Sequence, residues 1–178
     1  ESGMIQDDGM KLDFAKRIKK EAAGMTGLIN DILMISRLES MDAEVIFSDV
    51  RISVLLQEIM DSLKPLAASC RVFLHVDVKP LCVRANLQQM KELFTNLATN
   101  AIKYNRPGGQ VWITVGEQGD DMLVKVKDNG VGIPKESLDR IFERFYRVDK
   151  GRSRKQGGTG LGLSIVKHIV NFYHGTIH

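Results

Sequence analysis

The sequence of 178 residues contains only two cysteines, Cys70 and Cys82. Their separation fits neither the paired spacing of a zinc site nor the dense cysteine framework of a small secreted domain. We therefore interpret both as small apolar residues in a reducing compartment, with a disulfide between them as the less favoured alternative.

Long apolar runs are also missing. No stretch reaches the roughly 18 apolar residues that a membrane-spanning helix needs, and no secretory leader is recognisable at the start. The sequence is therefore expected to be cytoplasmic. Because it begins without an initiator Met, its parent protein is free to carry a membrane anchor elsewhere, and we expect that it does.

Charge of one sign does not dominate the composition. The 25 Lys and Arg residues nearly balance the 22 Asp and Glu residues, for a net charge of +3. This excess is too small to indicate a nucleic-acid partner, and we expect none. Hydrophobic residues make up 43% and charged residues 26%, as is typical of a globular protein.

The first 40 residues indicate one long helix over about 8–40. Apolar residues recur there at alternating spacings of three and four, as on the seam of a coiled coil or helical bundle. The seam consists of Ala15, Ile18, Ala22, Met25, Ile29 and Ile32, widened by Leu28 and Ile35. We expect this seam to form a homodimer, and we place the boundary to a second domain, 42–178, near residue 41.

The remaining pattern mixes strands and helices without regular βαβ alternation. Strands are predicted at 45–50, 71–78, 81–84, 110–115 and 122–127, and helices at 52–66, 87–103, 135–145 and 161–173. This order predicts an α+β fold, a two-layer α/β sandwich with helices on one face of a mixed sheet, preceded by the long helix.

The helix predicted at 87–103 carries Asn96 and Asn100, which lie on one face because they are four residues apart. An Asn side-chain oxygen is a hard ligand suited to a Mg²⁺ ion that also contacts phosphates. Lys103 is a mobile charge for a phosphate, and Tyr104 follows it. By themselves, two Asn on a helix are more often surface or capping residues.

The segment D-N-G-V-G-I-P directly follows a predicted strand. It contains Asp128, Gly130, Gly132 and Ile133. A carboxylate at a strand end, followed by glycines, provides an acceptor beside a backbone that a ligand can approach closely. We expect Asp128 to be a buried charged acceptor for an amino group of a base. An ordinary Asp-Asn-Gly turn explains the same residues equally well.

A glycine-rich segment precedes the last predicted helix. It includes Gly158, Thr159, Gly160, Leu161, Gly162 and Leu163. Glycines at a helix N-terminus expose backbone N–H groups, and the helix dipole adds partial positive charge, which together favour phosphate. A flexible linker is the alternative, and the segment matches neither the Rossmann nor the P-loop pattern.

Between these two segments lies I-F-E-R-F-Y-R, residues 141–147. Its aromatic side chains would anchor a mobile segment, and Arg147 would reach a phosphate. A surface amphipathic helix with a docked apolar side accounts for the same aromatic residues.

In this order, the four segments resemble the ATP-site boxes of the sensor histidine kinases of two-component systems. The boxes are E-L-F-T-N-L-A-T-N-A-I-K-Y, D-N-G-V-G-I-P, I-F-E-R-F-Y-R and G-T-G-L-G-L. S-R-L-E-S, near residue 40, is similar to the end of the family's second dimerisation helix. The resemblance implies the Bergerat-type ATP-binding fold for 42–178 and a partial dimerisation segment for 1–41.

The resemblance also implies ATP and Mg²⁺ as ligands. Asp128 would accept from the adenine amino group above a floor shaped by Gly130 and Gly132. Asn100 would ligate Mg²⁺, with Asn96 beside it. The other roles are that Lys103 and Arg147 would hold phosphates, Tyr104 would pack against the base or ribose, and the backbone of Gly160 to Gly162 would meet the phosphate chain. Residues 134–158 would form a lid that orders around the nucleotide.

The family phosphorylates its own histidine, in a motif like S-H-E-L-R-T-P, and relays the phosphate to an Asp of a response regulator. None of His75, His168, His174 and His178 lies in such a motif. The acceptor is therefore expected just upstream of Glu1, and this chain alone is not expected to autophosphorylate. The family also continues beyond H-G-T-I with further strands, which we expect to be missing here.

Two other functions stay open. One is a related ATPase of the same fold, such as the gyrase, mismatch-repair or heat-shock-chaperone ATPases. Those enzymes have a Glu general base where this sequence has Asn96, and an amide cannot take a proton from water. The other is a nucleotide-gated interaction module without activity, against which the intact boxes argue.

Overall fold

The computed structural model describes residues 8–39, 45–148 and 159–178. Its helices are α1 (Asp8–Glu39), α2 (Ile52–Cys70), α3 (Leu87–Lys103) and α4 (Gly162–Phe172), and its strands are β1 (Ser48–Arg51), β2 (Phe73–Val78), β3 (Cys82–Ala85), β4 (Gln110–Gln118) and β5 (Asp121–Asp128). A 3-10 turn, Lys135–Ser137, lies in the described stretch that follows β5.

The strands form two separate sheets. In the larger one, β4 lies between β2 and β5, parallel to β2 and antiparallel to β5. The smaller one is the antiparallel pair of β1 and β3. The parallel pairing of β2 with β4 requires a crossover, which β3 and α3 provide. The mixed sheet predicted from the sequence is confirmed.

The core lies between the larger sheet and helices α2, α3 and α4. Alternate residues of β4 point into it and are fully buried: Val111, Ile113 and Val115. The helices contribute the large buried side chains Leu56, Ile59, Phe94, Ile102, Ile165 and Ile169. These apolar stripes recur at helical spacing, so each helix can bury one face and leave the other to solvent. The arrangement is the predicted two-layer sandwich.

Two helix predictions were wrong in extent. Helix α2 passes through Pro65 and ends only at Cys70, where Arg71 takes a left-handed conformation with φ 55°. It continues because Leu63 and Ala67, on either side of the proline, are both buried in the core. The helix predicted at 135–145 is limited to the 3-10 turn Lys135–Ser137, because three-residue turn bonds, such as those from the Arg140 N–H to the Ser137 carbonyl and from the Glu143 N–H to the Arg140 carbonyl, interrupt the regular helical pattern.

The long front helix is confirmed as α1, and most of its apolar seam faces outward. Ile29 is 54% and Ile32 is 46% exposed, whereas Leu28 packs partly against the core. The side chain of Ile35 and the boundary near residue 41 lie outside the described residues. In the part of the chain that the structure describes, no helix combines the length and hydrophobicity needed to cross a membrane. Cys70 and Cys82 are free thiols, as expected.

Candidate functional site

Helix α3 is the backbone of the candidate site. Its first turn is capped by the Asn86 side chain, which accepts from the Gln89 N–H at 3.0 Å. Asn96, Asn100 and Tyr104 follow at intervals of four along one side of the helix, at the edge of its buried face, and all three are half-buried. Eight residues at about 1.5 Å each place the ends of this row about 12 Å apart. A different segment of the chain lies against each end of this row.

At the Asn96 end, the first turn of α4 lies directly against α3. A Cβ atom added to Gly162 would be 2.7 Å from Asn96 Oδ1 and 3.7 Å from Asn100 Nδ2. The Asn96 amide is held there because its Nδ2 donates to the Glu92 carbonyl at 3.0 Å. The first N–H groups of a helix lack helical partners and lie at its positive end. The Asn96 side-chain oxygen, the Asn100 side-chain amide and the N-terminus of α4 therefore lie together at this end.

At the Tyr104 end, the loop after β5 lies against the last turn of α3. The Val131 N–H donates to the Tyr104 carbonyl at 3.1 Å. Any Cβ at Gly130 would collide with that carbonyl and lie 2.9 Å from Asn105 Cα. Only glycine permits this approach, which brings Asp128 and Tyr104 to the same end of the row.

Asp128 itself is exposed, contrary to the expectation of a buried acceptor. Its Oδ1 accepts from the Gly130 N–H at 2.8 Å, so the carboxylate folds the local turn. This leaves Oδ2 toward solvent, where a ligand would have to cover it. The expected burial is wrong for this structure because Asp128 is the last residue of β5, in the terminal ladder pair with Val111 at the rim of the sheet.

The aromatic segment is anchored at Gly160, which has φ 78°. The Phe145 N–H donates to the Gly160 carbonyl at 2.9 Å, and a Cβ on Gly160 would lie 2.9 Å from the Phe145 carbonyl carbon. The Tyr146 hydroxyl is 3.0 Å from that of Ser137, and the Arg140 guanidinium lies 4.4 Å from the Tyr146 ring centre. These contacts, not a helix, fix the segment.

Arg147 provides the electrostatic feature of this segment. Its Nε and Nη2 atoms are buried, and none of the described residues accepts a hydrogen bond from them. A guanidinium remains charged in a protein, and burying its donors without partners is costly. An anion is the partner that would satisfy them, which fits the phosphate role expected for Arg147.

The other expected site residues are distributed as follows. Lys103 and Tyr104 are half-buried at the end of α3, Gly132 has φ 71° and open space around it, and Ile133 is 47% exposed. Thr159, just before α4, and Leu163, in its first turn, are half-buried. Leu161 is fully buried, so its side chain belongs to the core, and its N–H donates to the Thr159 hydroxyl at 3.2 Å. Gly158 and residues 149–157 of the expected lid lie outside the described residues.

A second contact between α3 and α4 was missed by the sequence analysis. The Tyr173 hydroxyl accepts from the Asn86 N–H at 2.9 Å and donates to Gln89 Oε1 at 2.7 Å. Burial raises the pKa of Tyr173 above 10.0, and the Asn86 N–H partly offsets this. The bond joins the end of α4 to the start of α3, so it fixes the helix pair that carries the site. No local pattern in the sequence indicates it.

Comparison with known proteins identifies the family. The model of the family described as "Histidine kinase-, DNA gyrase B-, and HSP90-like ATPase" matches residues 85–178. Over 99% of its length, the chain is 34% identical to the sensor protein kinase WalK of Staphylococcus haemolyticus and 35% identical to that of Staphylococcus saprophyticus. It spans 29% of the length of each of these relatives.

Solved structures give the same result. The mycobacterial sensor histidine kinase MprB superposes with a TM-score of 0.64 at 25% identity, covering 74% of this chain and 83% of that one. Full-length ShkA in complex with AMPPNP superposes with a TM-score of 0.75 at 26% identity, and the match covers 89% of this chain and 33% of that one. The histidine kinase ThkA in complex with the response regulator TrrA superposes with a TM-score of 0.73, and the match covers 96% of this chain and 47% of that one. At 22% identity, this similarity supports the fold alone.

Proposed function

The chain belongs to the family of histidine kinase-, DNA gyrase B- and HSP90-like ATPases, and from this premise we propose that it is the nucleotide-binding part of a sensor histidine kinase. It binds Mg-ATP and donates the γ-phosphate to a histidine of its parent protein, for relay to an Asp of a response regulator. The observation that carries the proposal is the first turn of α4 against Asn96 and Asn100.

The two ends of the α3 row would hold the two ends of ATP. At the Tyr104 end, Asp128 accepts from the adenine amino group and Tyr104 packs against the base or ribose. At the Asn96 end, the N–H groups of α4 donate to phosphate oxygens. Lys103 and Arg147 hold the phosphates by charge, and the buried Arg147 donors, which have no acceptor among the described residues, support this role.

Asn100, with Asn96 beside it, would hold the Mg²⁺ ion. Their side-chain oxygens are of the hard type that this ion accepts. When bound, Mg²⁺ neutralises negative charge on the phosphates during phosphoryl transfer. The residues present therefore fit the ion, and their part is to orient it relative to the α4 N-terminus.

The related ATPases of this fold are the second candidate. Hydrolysis needs a base that takes a proton from water, and Asn96 is an amide whose Nδ2 already donates to the Glu92 carbonyl. We infer that bound ATP is kept for transfer and is not consumed by water. An interaction module that binds ATP without any transfer is the third candidate.

Binding and turnover measured in the same samples separate the three. We expect saturable Mg-ATP binding, negligible steady-state hydrolysis, and transfer of label only when a helical segment that carries the acceptor histidine of the parent protein is supplied. Rapid hydrolysis would favour an ATPase. Binding without transfer to the supplied acceptor would favour an interaction module.

The surroundings of the domain are part of the proposal. We propose that residues 1–41 are a partial dimerisation segment and 42–178 the catalytic domain, with the exposed seam of α1 as the homodimer contact. We also propose that the parent protein is membrane-anchored and that this domain lies on the cytoplasmic side, where ATP and a response regulator are available.

A further inference from the structure

The Tyr104 end of the site contains a polar clamp formed by Asn105, Gln110 and Asn129. The Gln110 carbonyl accepts from Asn105 Nδ2 at 3.1 Å and from the Asn129 N–H at 3.3 Å. The Gln110 N–H donates to Asn129 Oδ1 at 2.7 Å. Because a backbone N–H can only donate and a carbonyl can only accept, these partners fix the orientation of both side-chain amides.

The clamp determines where β5 ends. In the antiparallel ladder, Val111 is paired with Asp128, so Gln110 and Asn129 would form the next pair. At that position, the side-chain oxygen of Asn129 takes the place of a backbone carbonyl as the acceptor for Gln110. The main chain is thereby free to leave the sheet after the Asn129 N–H, which makes the last bond to β4.

After leaving the sheet, the chain turns onto the end of α3. The Val131 N–H reaches the Tyr104 carbonyl, and Gly130 lies against Asn105 Cα. Asn105, the residue after Tyr104, also contacts the sheet, because its Nδ2 donates to the carbonyl of Gln110 at the start of β4. Asp128 and Tyr104 are therefore held by one hydrogen-bonded unit.

We propose that Asn105 and Asn129 are positioning residues for base selection. They act through Asp128 and Tyr104, and they hold the Asp128 carboxylate where it accepts from an amino group and repels a carbonyl oxygen. A purine with an amino group at this edge is then favoured over one with a carbonyl, as adenine is over guanine. This inference rests on the proposed function, since it assumes that the base lies at Asp128.

Matched Asn-to-Asp substitutions test the clamp. Such a change keeps the oxygen acceptor, removes the donor and leaves the size of the side chain nearly unchanged. Asn129 serves Gln110 as an acceptor, so Asn129→Asp keeps that bond. Asn105 serves as a donor, so Asn105→Asp breaks the bond and sets a carboxylate against the Gln110 carbonyl. Both variants add one negative charge near the nucleotide, and any general charge effect is therefore common to them.

Calorimetric titration with Mg-ATP and with Mg-GTP gives the selectivity of each protein, and thermal unfolding checks that each is folded. We expect Asn129→Asp to keep the wild-type ratio of the two affinities within about twofold, and Asn105→Asp to lower it about tenfold. Asn105→Ala removes the donor without adding charge and should lower the affinity ratio similarly. It replaces Asn105→Asp in the test if that variant does not fold.

An equal ratio of ATP to GTP affinity in all of the proteins would overturn the inference, even if the ATP affinity itself fell. A purely structural role would weaken the binding of both nucleotides alike. An equal loss of selectivity in both Asp variants, with none in Asn105→Ala, would also overturn it, since charge alone would then be the cause. A wild-type chain that binds neither nucleotide would overturn the proposed function and, with it, this inference.

Discussion

A Cβ atom on Gly162 would lie 2.7 Å from the side-chain oxygen of Asn96. Glycine at the start of α4 is therefore needed for the contact between this helix and the Asn row of α3. Glycine lowers helix stability by up to about 1 kcal/mol relative to alanine. The position thus gives up helix stability for a close approach at the proposed phosphate end of the site.

Replacing Gly162 by alanine separates these two effects. Gly162→Ala should favour the helix by propensity, and yet weaken Mg-ATP binding about tenfold or more, because Asn96 must move away from the α4 N-terminus. Calorimetry measures the affinity. Gly116→Ala is the matched control, since its Cβ would meet only Lys79 Cδ at an ordinary 3.8 Å. Equal affinities of Gly162→Ala and wild type would show that the contact does not shape the site.

The Tyr173 hydroxyl is expected to stabilise the pair of helices that carries the site. Tyr173→Phe leaves the nearly buried Gln89 and the Asn86 N–H without this partner. The free energy of unfolding should fall by about 1–3 kcal/mol, as is usual for a lost partner of buried polar groups. Urea denaturation followed by circular dichroism measures it. An unchanged midpoint would show that solvent replaces the hydroxyl without cost.

The pH dependence of the same variant provides a second check. Because the pKa of Tyr173 is raised above its unfolded value of 10.0, its stabilising contribution is fully present below pH 10 and is lost as the pH rises through the folded pKa. The difference in unfolding free energy between wild type and Tyr173→Phe should therefore narrow above pH 10. A difference that stays constant would contradict the assigned protonation state.

The outward-facing seam of α1 should drive self-association. Ile29 and Ile32 are both about half exposed, and a continuous apolar stripe of this kind is typical of a helix–helix interface. Light scattering should find the chain dimeric, and Ile29→Asp combined with Ile32→Asp should make it monomeric. Lys16→Asp with Lys19→Asp, off the seam, is the control and should stay dimeric. A monomeric wild type, or an equally stable dimer after the isoleucine changes, would exclude this interface.

The histidines of this sequence should not accept phosphate from ATP. His75 is fixed in β2, where it is hydrogen-bonded to Gln110 Oε1 at 3.0 Å and stacked on Trp112. None of the other three lies in an acceptor motif. Incubation of the chain with γ-labelled Mg-ATP should leave the protein unlabelled, under conditions where binding is measured in parallel. Acid-labile label on any of the four histidines would contradict this expectation.

Local sequence patterns predicted the exact bounds of one helix. Helix α3 has an N-cap at Asn86, an apolar stripe and Lys103 in its last turn, and its observed bounds match those predicted. The hairpin of β4 and β5 was also predicted, although both strands are longer. The segment at 135–145 was misjudged because its apolar spacing is helical, whereas its backbone forms successive three-residue turns, such as that closed by the Glu143 N–H on the Arg140 carbonyl.

The site was predicted as a set of residues but not as an arrangement. Asn96 and Gly162 were both singled out, but they are far apart in the sequence. Their contact depends on how α3 and α4 pack, which buried residues such as Phe94 and Ile165 decide. The clamp of Asn105 and Asn129 was missed for the same reason, since Asn at a helix end and after a strand also suits an ordinary turn.

The central claim, that the chain binds Mg-ATP with its base at Asp128, is tested most directly by calorimetric titration of three proteins. Asp128→Asn keeps the oxygen that accepts from the Gly130 N–H, so the turn should survive while the charged acceptor is lost. Asp121→Asn makes the same change at the other end of β5. We predict that wild type and Asp121→Asn bind Mg-ATP equally and that Asp128→Asn binds about tenfold more weakly or worse. Equal affinity of all three proteins, or no binding by the wild type, would contradict the account.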